Sequence, residues 1–361
     1  MTTTPHVLWI DDPEAPGNRL LGGKFGSLAD MHAARFEVPP GFGITTGAYR
    51  RFLDAAGLTR RAEEARSQAA NAELSEIREI SAGLTAEIES APLPPELETA
   101  VCEAYAELGT RSGQVDVPVA VRSSGESEDL AGASFAGQYD TFLWIRGVEE
   151  LLRHVRRCWA GMFGEAVLTY RTEDEKPPPS DLGICVGVQQ MVAARSAGVM
   201  FTLDPVSGDR SKVVVEGCWG LGEGVVSGGI TPSRYRVDKV TFEVLDRDIV
   251  EQESKFAFDP GCGEVALVEV ADELRSQPCV TDEQLHALAE LAKRIERHRG
   301  APQDIEWAVG EHGEVRVLQV RPETVWSRRG TEQLVGDRKS PVDRVLARFA
   351  GQRVVRGSGG A

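Results

Sequence analysis

Residues 121–142 are too rich in small residues, hydroxyls and acids to form part of a hydrophobic core. They follow a short run with Val117, Val119 and Val121 at alternate positions, which is the pattern of a half-buried strand. The strand delivers Arg122, an isolated cation, to the start of a loop of glycines and serines. A cation in this position suits an anionic ligand better than a core, so the stretch predicts an anion-binding site.

The composition indicates a globular protein and argues against several kinds of partner. The 361 residues suffice for one large domain or for two to three smaller ones. A formal net charge of −16 argues against sequence-independent binding of nucleic acid. No apolar run is long enough for a membrane helix and residues 1–5 do not resemble a secretion signal, so we expect a cytoplasmic protein without a membrane partner. The absence of any Cys-x-x-Cys pair argues against a zinc or redox site.

Periodicity and turn residues predict a chain of mixed helices and strands. Gly22-Gly23-Lys24 is predicted to be a turn before a helix that begins near Ser27, and residues 173–181, with three consecutive prolines, a boundary loop. Further helices are predicted over residues 46–110 (with breaks at prolines), 149–170, 282–298 and 341–349. Strands are predicted over residues 184–192, 198–203, 212–216, 234–238, 241–245, 304–309 and 314–321.

The last two predicted strands carry polar residues at alternate positions. Asp304 and Glu306 share one face of the first strand, and Gln319 and Arg321 share one face of the second. If the connecting loop has four or six residues, all four side chains are neighbours on one face of a hairpin, ~5–8 Å apart. Such a face suits a magnesium site in which Glu306 and Gln319 supply oxygen ligands and Arg321 neutralises charge on a phosphoryl group. A solvated hairpin face with an Asp–Arg pair explains the same pattern.

Three other segments have structural interpretations from the residues alone, and one of them also suits a ligand. Gly22-Gly23-Lys24 can bring backbone N–H groups and a mobile charge to a phosphate, or can form a plain turn. Residues 188–192 have the pattern of a buried strand with polar interruptions. Residues 216–229 contain too many glycines for a regular element and, taken alone, fit a surface loop.

Taken together, these segments resemble the nucleotide-binding domain of the phosphoenolpyruvate synthase and pyruvate phosphate dikinase family. The family's VRSSAT-x-EDL-x-x-ASFAGQ pattern matches residues 121–138, with a departure at Gly125-Glu126-Ser127, where the family usually has Ala-Thr-Ala. The family's opening, Gly-Gly-Lys-x-x-x-Leu-x-x-Met, is present from Gly22 to Met31. Its GLGE-x-VVSG, DIEWA and LQ-x-RP-x-T patterns match residues 220–228, 304–308 and 318–324. The resemblance spans about residues 17–326.

The resemblance implies an α+β fold, namely an ATP-grasp-type nucleotide-binding domain of two lobes with ATP between them. The lobes are expected at residues 1–180 and 181–326, followed by a tail or linker at 327–361. The catalytic residues that it implies are Lys24, Arg122 and Arg321. The ATP-binding residues that it implies are Gly23, Lys24, Arg122, Ser123, Thr141, Gln189, Gln190, Val192, Glu223 and Arg321. Mg²⁺ is expected on Glu306 and Gln319, with Asp304 as a further candidate ligand.

The resemblance also implies the first half of a dikinase reaction, in which ATP is cleaved to AMP and phosphate and a phosphoryl group passes to a histidine. In the family this histidine stands in a G-G-x-x-(S/C)HAA context on a separate domain, and none of the six histidines here has that context. We therefore expect a histidine-carrying phosphotransfer subunit or domain that also binds the small-molecule acceptor.

The acceptor implied by the resemblance is a phenol, as in phenylphosphate-synthase-type systems with stand-alone nucleotide-binding chains, or pyruvate. An excised ATP domain of a rifampin-phosphotransferase-like enzyme is an alternative, with an antibiotic hydroxyl as the acceptor. Two further alternatives are a non-catalytic, regulatory ATP-binding relic and a structural α+β protein whose glycine-rich loops are only loops.

Overall fold

The first of the two larger sheets holds Arg122 inside a strand rather than in a loop. The computed structural model describes residues 4–126, 140–169 and 183–328. The strands of this sheet are β1 (Val7–Trp9), β2 (Gly41–Ile44), β3 (Val119–Gly125), β4 (Thr141–Ile145) and β5 (Ile184–Gln190). They run antiparallel to their neighbours in the order β1-β2-β5-β3-β4. Arg122 is opposite Gly187 of β5 on one side and Thr141 of β4 on the other.

Helices pack on one face of this sheet and enclose the first hydrophobic core. The helices before β5 are α1 (Gly22–Ala33), α2 (Thr46–Ala55), α3 (Thr59–Ala69), α4 (Leu74–Ser90), α5 (Pro95–Ser112), α6 (Val148–Gly161) and α7 (Glu165–Thr169), with a 3₁₀ turn at Arg19–Leu21. Of these, α2 to α7 contribute to the first core, whereas α1 belongs to a second core. α5 begins at a proline, whose fixed φ suits the first helical position, and stops at Gly113, which adopts a left-handed φ of 64°. The apolar face of α6 is buried, and its Trp159 stacks on Phe52 of α2 with ring centroids 4.7 Å apart.

The second sheet contains the polar hairpin. Its strands are β6 (Ala194–Phe201), β7 (Lys212–Trp219), β8 (Ser233–Asp238), β9 (Val244–Asp248), β12 (Gln303–Gly310) and β13 (Val315–Pro322), in the order β13-β12-β6-β7-β8-β9. The separate hairpin β10 (Ser254–Asp259) and β11 (Glu264–Glu269), the short helix α8 (Glu223–Val226) and the long helix α9 (Asp282–Arg299) complete this part of the chain. Residues 1–323 form one unit, and residues 324–361 form a second, in which the short helix α10 (Val325–Arg328) is described.

Helix α1 connects the two sheets. On one side its Phe25 lies directly over Gly187 of β5, where an added Cβ would come within 1.7 Å of the ring. On the other side the Ser27 hydroxyl donates a hydrogen bond of 2.7 Å to the Val320 carbonyl of β13. The second core packs α1 and α9 against the second sheet around Trp307 and Tyr235. The position of α1 therefore sets how the two sheets face each other.

The prediction that α1 begins near Ser27 is wrong, because the helix already starts at Gly22. A distant side chain caps this first turn: the Ser124 hydroxyl of β3 accepts a hydrogen bond from the Phe25 N–H and donates one to the Leu21 carbonyl. Gly22 is required there, since an added Cβ would lie 2.0 Å from the Ser124 carbonyl oxygen. A contact across so many residues leaves no local signal in the sequence.

Other predicted elements differ in extent. The predicted helix 149–170 is divided into α6 and α7, and the pair β10 and β11 was missed because its residues alternate in polarity only weakly. The predicted helix 341–349 lies outside the described residues. The lobe boundary at residue 180 stays a prediction, and the strand that follows it, β5, pairs with β2 and β3 of the first sheet. Within the described ranges, no helix has the length and apolar character needed to cross a membrane.

We expect Ser124→Ala to lower the free energy of unfolding by about 1–3 kcal/mol, because it leaves the buried Phe25 N–H without an acceptor. The measurement is the urea midpoint. Ser90→Ala is the matched control, since the Ser90 hydroxyl also donates to a backbone carbonyl, but on an exposed helix. Equal losses in both variants would contradict the capping role of Ser124.

Candidate functional site

A cavity of about 440 Å³ lies between the two sheets and collects most of the predicted site residues. β3, β4 and β5 of the first sheet form one wall, and β6, β12 and β13 of the second sheet form the other. The predicted residues that line it are Lys24, Arg122, Thr141, Gln189, Gln190, Val192, Glu223, Glu306, Gln319 and Arg321. Gly23, Ser123 and Asp304 do not line it.

The hairpin of β12 and β13 has the register on which the same-face prediction depended. Asp304 is opposite Arg321, and Glu306 is opposite Gln319. A register shift follows immediately after Glu306, so the regular pairing holds through the polar residues and changes beyond them. Glu306, Gln319 and Arg321 line the cavity, whereas the intervening Ile305 and Val320 belong to the second core.

Arg122 reaches across the cavity from β3 to this hairpin. Its Nη2 donates to Gln319 Oε1 and to Glu306 Oε2, the latter at 3.4 Å, and its Nη1 donates to the Leu318 carbonyl at 3.2 Å. Only 9% of the side chain is exposed. Its Nε is buried and has no hydrogen-bond partner among the described residues. The guanidinium is thus held by the second sheet, while its Nε–H is not used by any described residue.

Strand alternation separates Arg122 from Ser123. Ser123 is buried on the other, helix-covered face of the sheet, near the buried thiol of Cys158. Burial raises the pKa of that thiol to about 12. Ser123 therefore lies away from the cavity, and its ATP-binding role stays a prediction.

The first turn of α1 contributes to two hollows. Lys24 lines the cavity between the sheets, whereas Gly23 lines a neighbouring hollow of about 480 Å³ together with Asn18 and Arg19. Because Gly22 approaches the β3 backbone so closely, the Lys24 side chain is placed on the same side of the sheet as Arg122.

The end of β5 forms a polar edge of the cavity. The Gln190 side chain is used structurally, since its Oε1 accepts a hydrogen bond of 3.0 Å from the Ser112 hydroxyl. Gln189 is buried, and its amide nitrogen has no partner among the described residues. Next to this edge lie apolar residues that sequence reasoning did not single out: Leu143, Met191, Leu221 and Leu318. Each lies within two positions of a predicted polar residue along its segment, and only the tertiary fold brings the four together.

Glu223, in the first turn of α8, is the second carboxylate of the cavity that was predicted. Burial and the nearby negative charge of Glu306 raise the pKa of Glu223. Asp140 also lines the cavity and was not predicted, because its place just before β4 has no distinctive pattern. Among the described residues, the cavity thus combines three cations (Lys24, Arg122 and Arg321) with three carboxylates (Asp140, Glu223 and Glu306).

A match to a family model decides the relationship of this chain to known proteins. The model for the pyruvate phosphate dikinase AMP/ATP-binding domain matches residues 18–340. The chain belongs to this family. The resemblance that was expected from the motifs is therefore confirmed.

Relatives in the AMP/ATP-binding family are larger proteins. A probable phosphoenolpyruvate synthase of Methanothermobacter thermautotrophicus is 41% identical over 320 residues, which are 89% of this chain and 46% of the relative. One of Methanocaldococcus jannaschii is 38% identical over 318 residues, 88% of this chain and 26% of the relative. A rifampicin phosphotransferase of a Streptomyces species is 38% identical over 321 residues, 88% of this chain and 36% of the relative. The chain spans less than half of the length of each of these relatives.

Among solved structures, D-alanyl-alanine synthetase A from Vibrio cholerae matches with a TM-score of 0.25 and 12% identity, over 63% of this chain and 47% of that protein, which is too weak a likeness to assign a fold.

Glu126, where the sequence departs from the family pattern, does not line the cavity. Its carboxylate pairs with Arg50 of α2 at 3.0 Å and accepts a hydrogen bond of 2.9 Å from the Gly183 N–H. The Glu126 N–H in turn donates to the Gly183 carbonyl at 3.1 Å. The carboxylate therefore joins the end of β3 to the start of β5. The remainder of the family's motif, residues 127–138, lies outside the described residues.

Asp304 lies beside the cavity and pairs with Arg321, with 3.5 Å between Oδ2 and Nε. Its Oδ1 is buried and has no partner among the described residues. Burial raises the pKa of Asp304 to about 6, against the opposing effect of Arg321, and the charge of Glu323 raises it further. Its proposed place as a metal ligand stays a prediction.

The raised pKa of Asp304 predicts a pH-dependent loss of stability. A carboxyl whose pKa is higher in the folded state favours folding when protonated, and this advantage is lost as the pH rises from about 4 through about 6. We expect the unfolding free energy of wild type, relative to that of Asp304→Asn, to fall by on the order of 1 kcal/mol between pH 5 and pH 7.5. Urea unfolding at both pH values measures this. A difference between the two proteins that is independent of pH would contradict the shift.

Proposed function

We propose that this chain is the ATP-binding part of a dikinase-type phosphotransferase. In the proposed reaction ATP is cleaved to AMP and phosphate, and a phosphoryl group passes to a histidine on a partner subunit or domain. The observation that carries the proposal is the convergence of Lys24, Arg122 and Arg321 with Glu306 and Gln319 on one cavity between two sheets. Membership of the AMP/ATP-binding family supports ATP as the nucleotide.

The proposed fold is of the ATP-grasp type, with one lobe at residues 1–180, a second at 181–326 and ATP between them. The mixed α and β architecture is consistent with it, and both sheets contribute to the cavity walls. In this arrangement the triphosphate lies against Lys24, Arg122 and Arg321. Ordered cations of this kind stabilise the charge that develops on a transferred phosphoryl group.

A divalent cation fits the oxygen atoms opposite Arg122. Glu306 Oε2 and Gln319 Oε1 come from directly opposed residues, and both contact the same guanidinium nitrogen, so they can serve one cation. Carboxylate and amide oxygens are hard ligands of the kind that Mg²⁺ prefers. When bound, Mg²⁺ would neutralise the phosphate oxygens of ATP and orient them for transfer.

The base of the nucleotide is proposed to lie along the end of β5. Leu143, Met191, Leu221 and Leu318 offer an apolar surface for a flat ring. The Gln189 amide nitrogen, which has no partner among the described residues, and the polypeptide backbone at Val192 offer polar groups at its edge. Cofactor pockets commonly combine an apolar lining with a few placed polar groups.

The phosphoryl acceptor is proposed to come from outside the described part of this chain. No histidine is found among the described residues that line the cavity. In the proposed step an imidazole nitrogen attacks the β-phosphorus, the bond between the α- and β-phosphates breaks, and AMP leaves with the bridging oxygen. The γ-phosphoryl group is released to water as phosphate. An imidazole is a good nucleophile and later a good leaving group, so it can pass the phosphoryl group onward.

The final acceptor is proposed to be a phenol or pyruvate bound by the partner. Sequence identity does not distinguish these acceptors from an antibiotic hydroxyl. The rifampicin phosphotransferase and the probable phosphoenolpyruvate synthase of Methanocaldococcus are both 38% identical to this chain.

The direct test incubates this chain with a candidate histidine-carrying phosphotransfer protein, Mg²⁺ and ATP labelled separately at the β- and γ-positions. We expect β-label on the partner's histidine, γ-label in free phosphate and unlabelled AMP. A partner without its histidine is the control and should remain unlabelled. ADP as the only product would indicate an ordinary kinase, and nucleotide binding without any turnover would indicate a non-catalytic relic.

We expect Arg321→Ala to slow partner phosphorylation by about 10³-fold, because it removes a cation that stabilises the transferred phosphoryl group. Arg316→Ala is the matched control, since Arg316 lies on the same strand but pairs with Glu37 at the surface. Single-turnover rates at saturating ATP provide the measurement. A near-normal rate in Arg321→Ala, with the fold intact by circular dichroism, would exclude this role.

A further inference from the structure

The two oxygens proposed for the metal are already occupied by a cation of the protein itself. The Nη2 group of Arg122 donates to both Glu306 Oε2 and Gln319 Oε1. Among the described residues, Arg122 is the only basic side chain that forms an ion pair with Glu306. We infer that Arg122 substitutes for the divalent cation in the nucleotide-free protein, and that binding of Mg·ATP exchanges the guanidinium for the metal on these oxygens. This inference rests on the proposed function, which assigns Glu306 and Gln319 as metal ligands.

Electrostatics makes the two occupants exclusive. A guanidinium and a divalent cation that contact the same oxygen atoms would lie within a few ångströms of each other, in a site where less than a tenth of the arginine side chain is exposed. Repulsion between like charges at such a distance is strong when water is largely excluded. The metal can therefore bind only if Arg122 leaves these oxygens.

The hydrogen bonds of Arg122 indicate where it goes. Its buried Nε–H has no acceptor among the described residues, and leaving a buried donor unpaired is unfavourable. A phosphate group can accept two parallel N–H bonds from one guanidinium. Nucleotide phosphates in the cavity would satisfy the unused Nε–H and draw Arg122 from Glu306 and Gln319, which then receive the metal. Nucleotide and metal are thereby coupled: each favours binding of the other.

Arg321 distinguishes this exchange from a general effect of positive charge. It lines the same cavity, but its guanidinium pairs with Asp304, and 44% of its side chain is exposed. If Arg122 were only a phosphate clamp, its removal would not strengthen metal binding in the absence of nucleotide more than removal of Arg321 does. If it occupies the metal site, its removal has the larger effect.

The test measures Mn²⁺ binding by the free-Mn²⁺ signal in electron paramagnetic resonance, without nucleotide, for wild type, Arg122→Met, Arg122→Lys and Arg321→Met. We expect the affinity of Arg122→Met for Mn²⁺ to rise about tenfold or more. Arg321→Met should change by no more than about threefold, because the charge that it removes does not contact the two oxygens. Arg122→Lys, which keeps a cation on the strand, should stay close to wild type.

The outcomes separate the exchange from the proposed function. If wild type binds Mn²⁺ with ATP present but Arg122→Met gains no affinity without it, or no more than Arg321→Met gains, the exchange is wrong and the metal site stands. If neither wild type nor Arg122→Met binds Mn²⁺ even with ATP, the proposed metal site is wrong.

A second measurement uses the wild-type protein and does not depend on the folding of a variant. The ¹⁵N–¹H resonance of Arg122 Nε, assigned by its loss in Arg122→Lys, should shift and become protected from solvent exchange when Mg·ATP is added. Mg²⁺ alone should leave it unchanged. A shift with Mg²⁺ alone, or none with Mg·ATP, would overturn the exchange.

Discussion

The contact of α1 with both sheets determines the geometry of the cavity. Phe25 can lie on β5 only because position 187 is glycine, and Ser27 ties the same helix to β13. The cap from Ser124 then fixes the first turn of α1 to β3, the strand that carries Arg122. The packing of α1 therefore brings Lys24, Arg122 and the polar hairpin to one cavity.

Much of the fold followed from patterns that act over a few residues. Strand alternation, together with the assumed loop of four or six residues, was sufficient to place Asp304, Glu306, Gln319 and Arg321 on one face, and helical spacing was sufficient for α6 and α9. The start of α1 was missed because its cap comes from a residue about a hundred positions away. The pair β10 and β11 was missed because neither strand has a fully buried face.

The candidate site was predictable to a similar degree. Motifs identified the charged residues, which differ most from a core, but could not distinguish neighbours on opposite faces of β3, so Ser123 was grouped with Arg122 although it lies on the other face, near Cys158. The apolar wall of the cavity left no signal, since Leu143 and Leu318 look like any strand residues until β4 and β13 are placed on opposite sides of it. The contacts between Arg122 and the hairpin join β3 to strands about two hundred residues away, so they depend entirely on tertiary packing.

Glu126 shows that a residue can depart from a family pattern without lining the cavity that the pattern's other residues line. Its carboxylate forms an ion pair with Arg50 and accepts a hydrogen bond from the Gly183 N–H. The negative charge therefore stabilises the contact between the ends of two adjacent strands. The position is therefore free to diverge with the framework around it, provided that Arg50 diverges too, since the Gly183 N–H belongs to the backbone. Covariation of residues 50 and 126, rather than identity at one of them, would be the evolutionary mark of this contact.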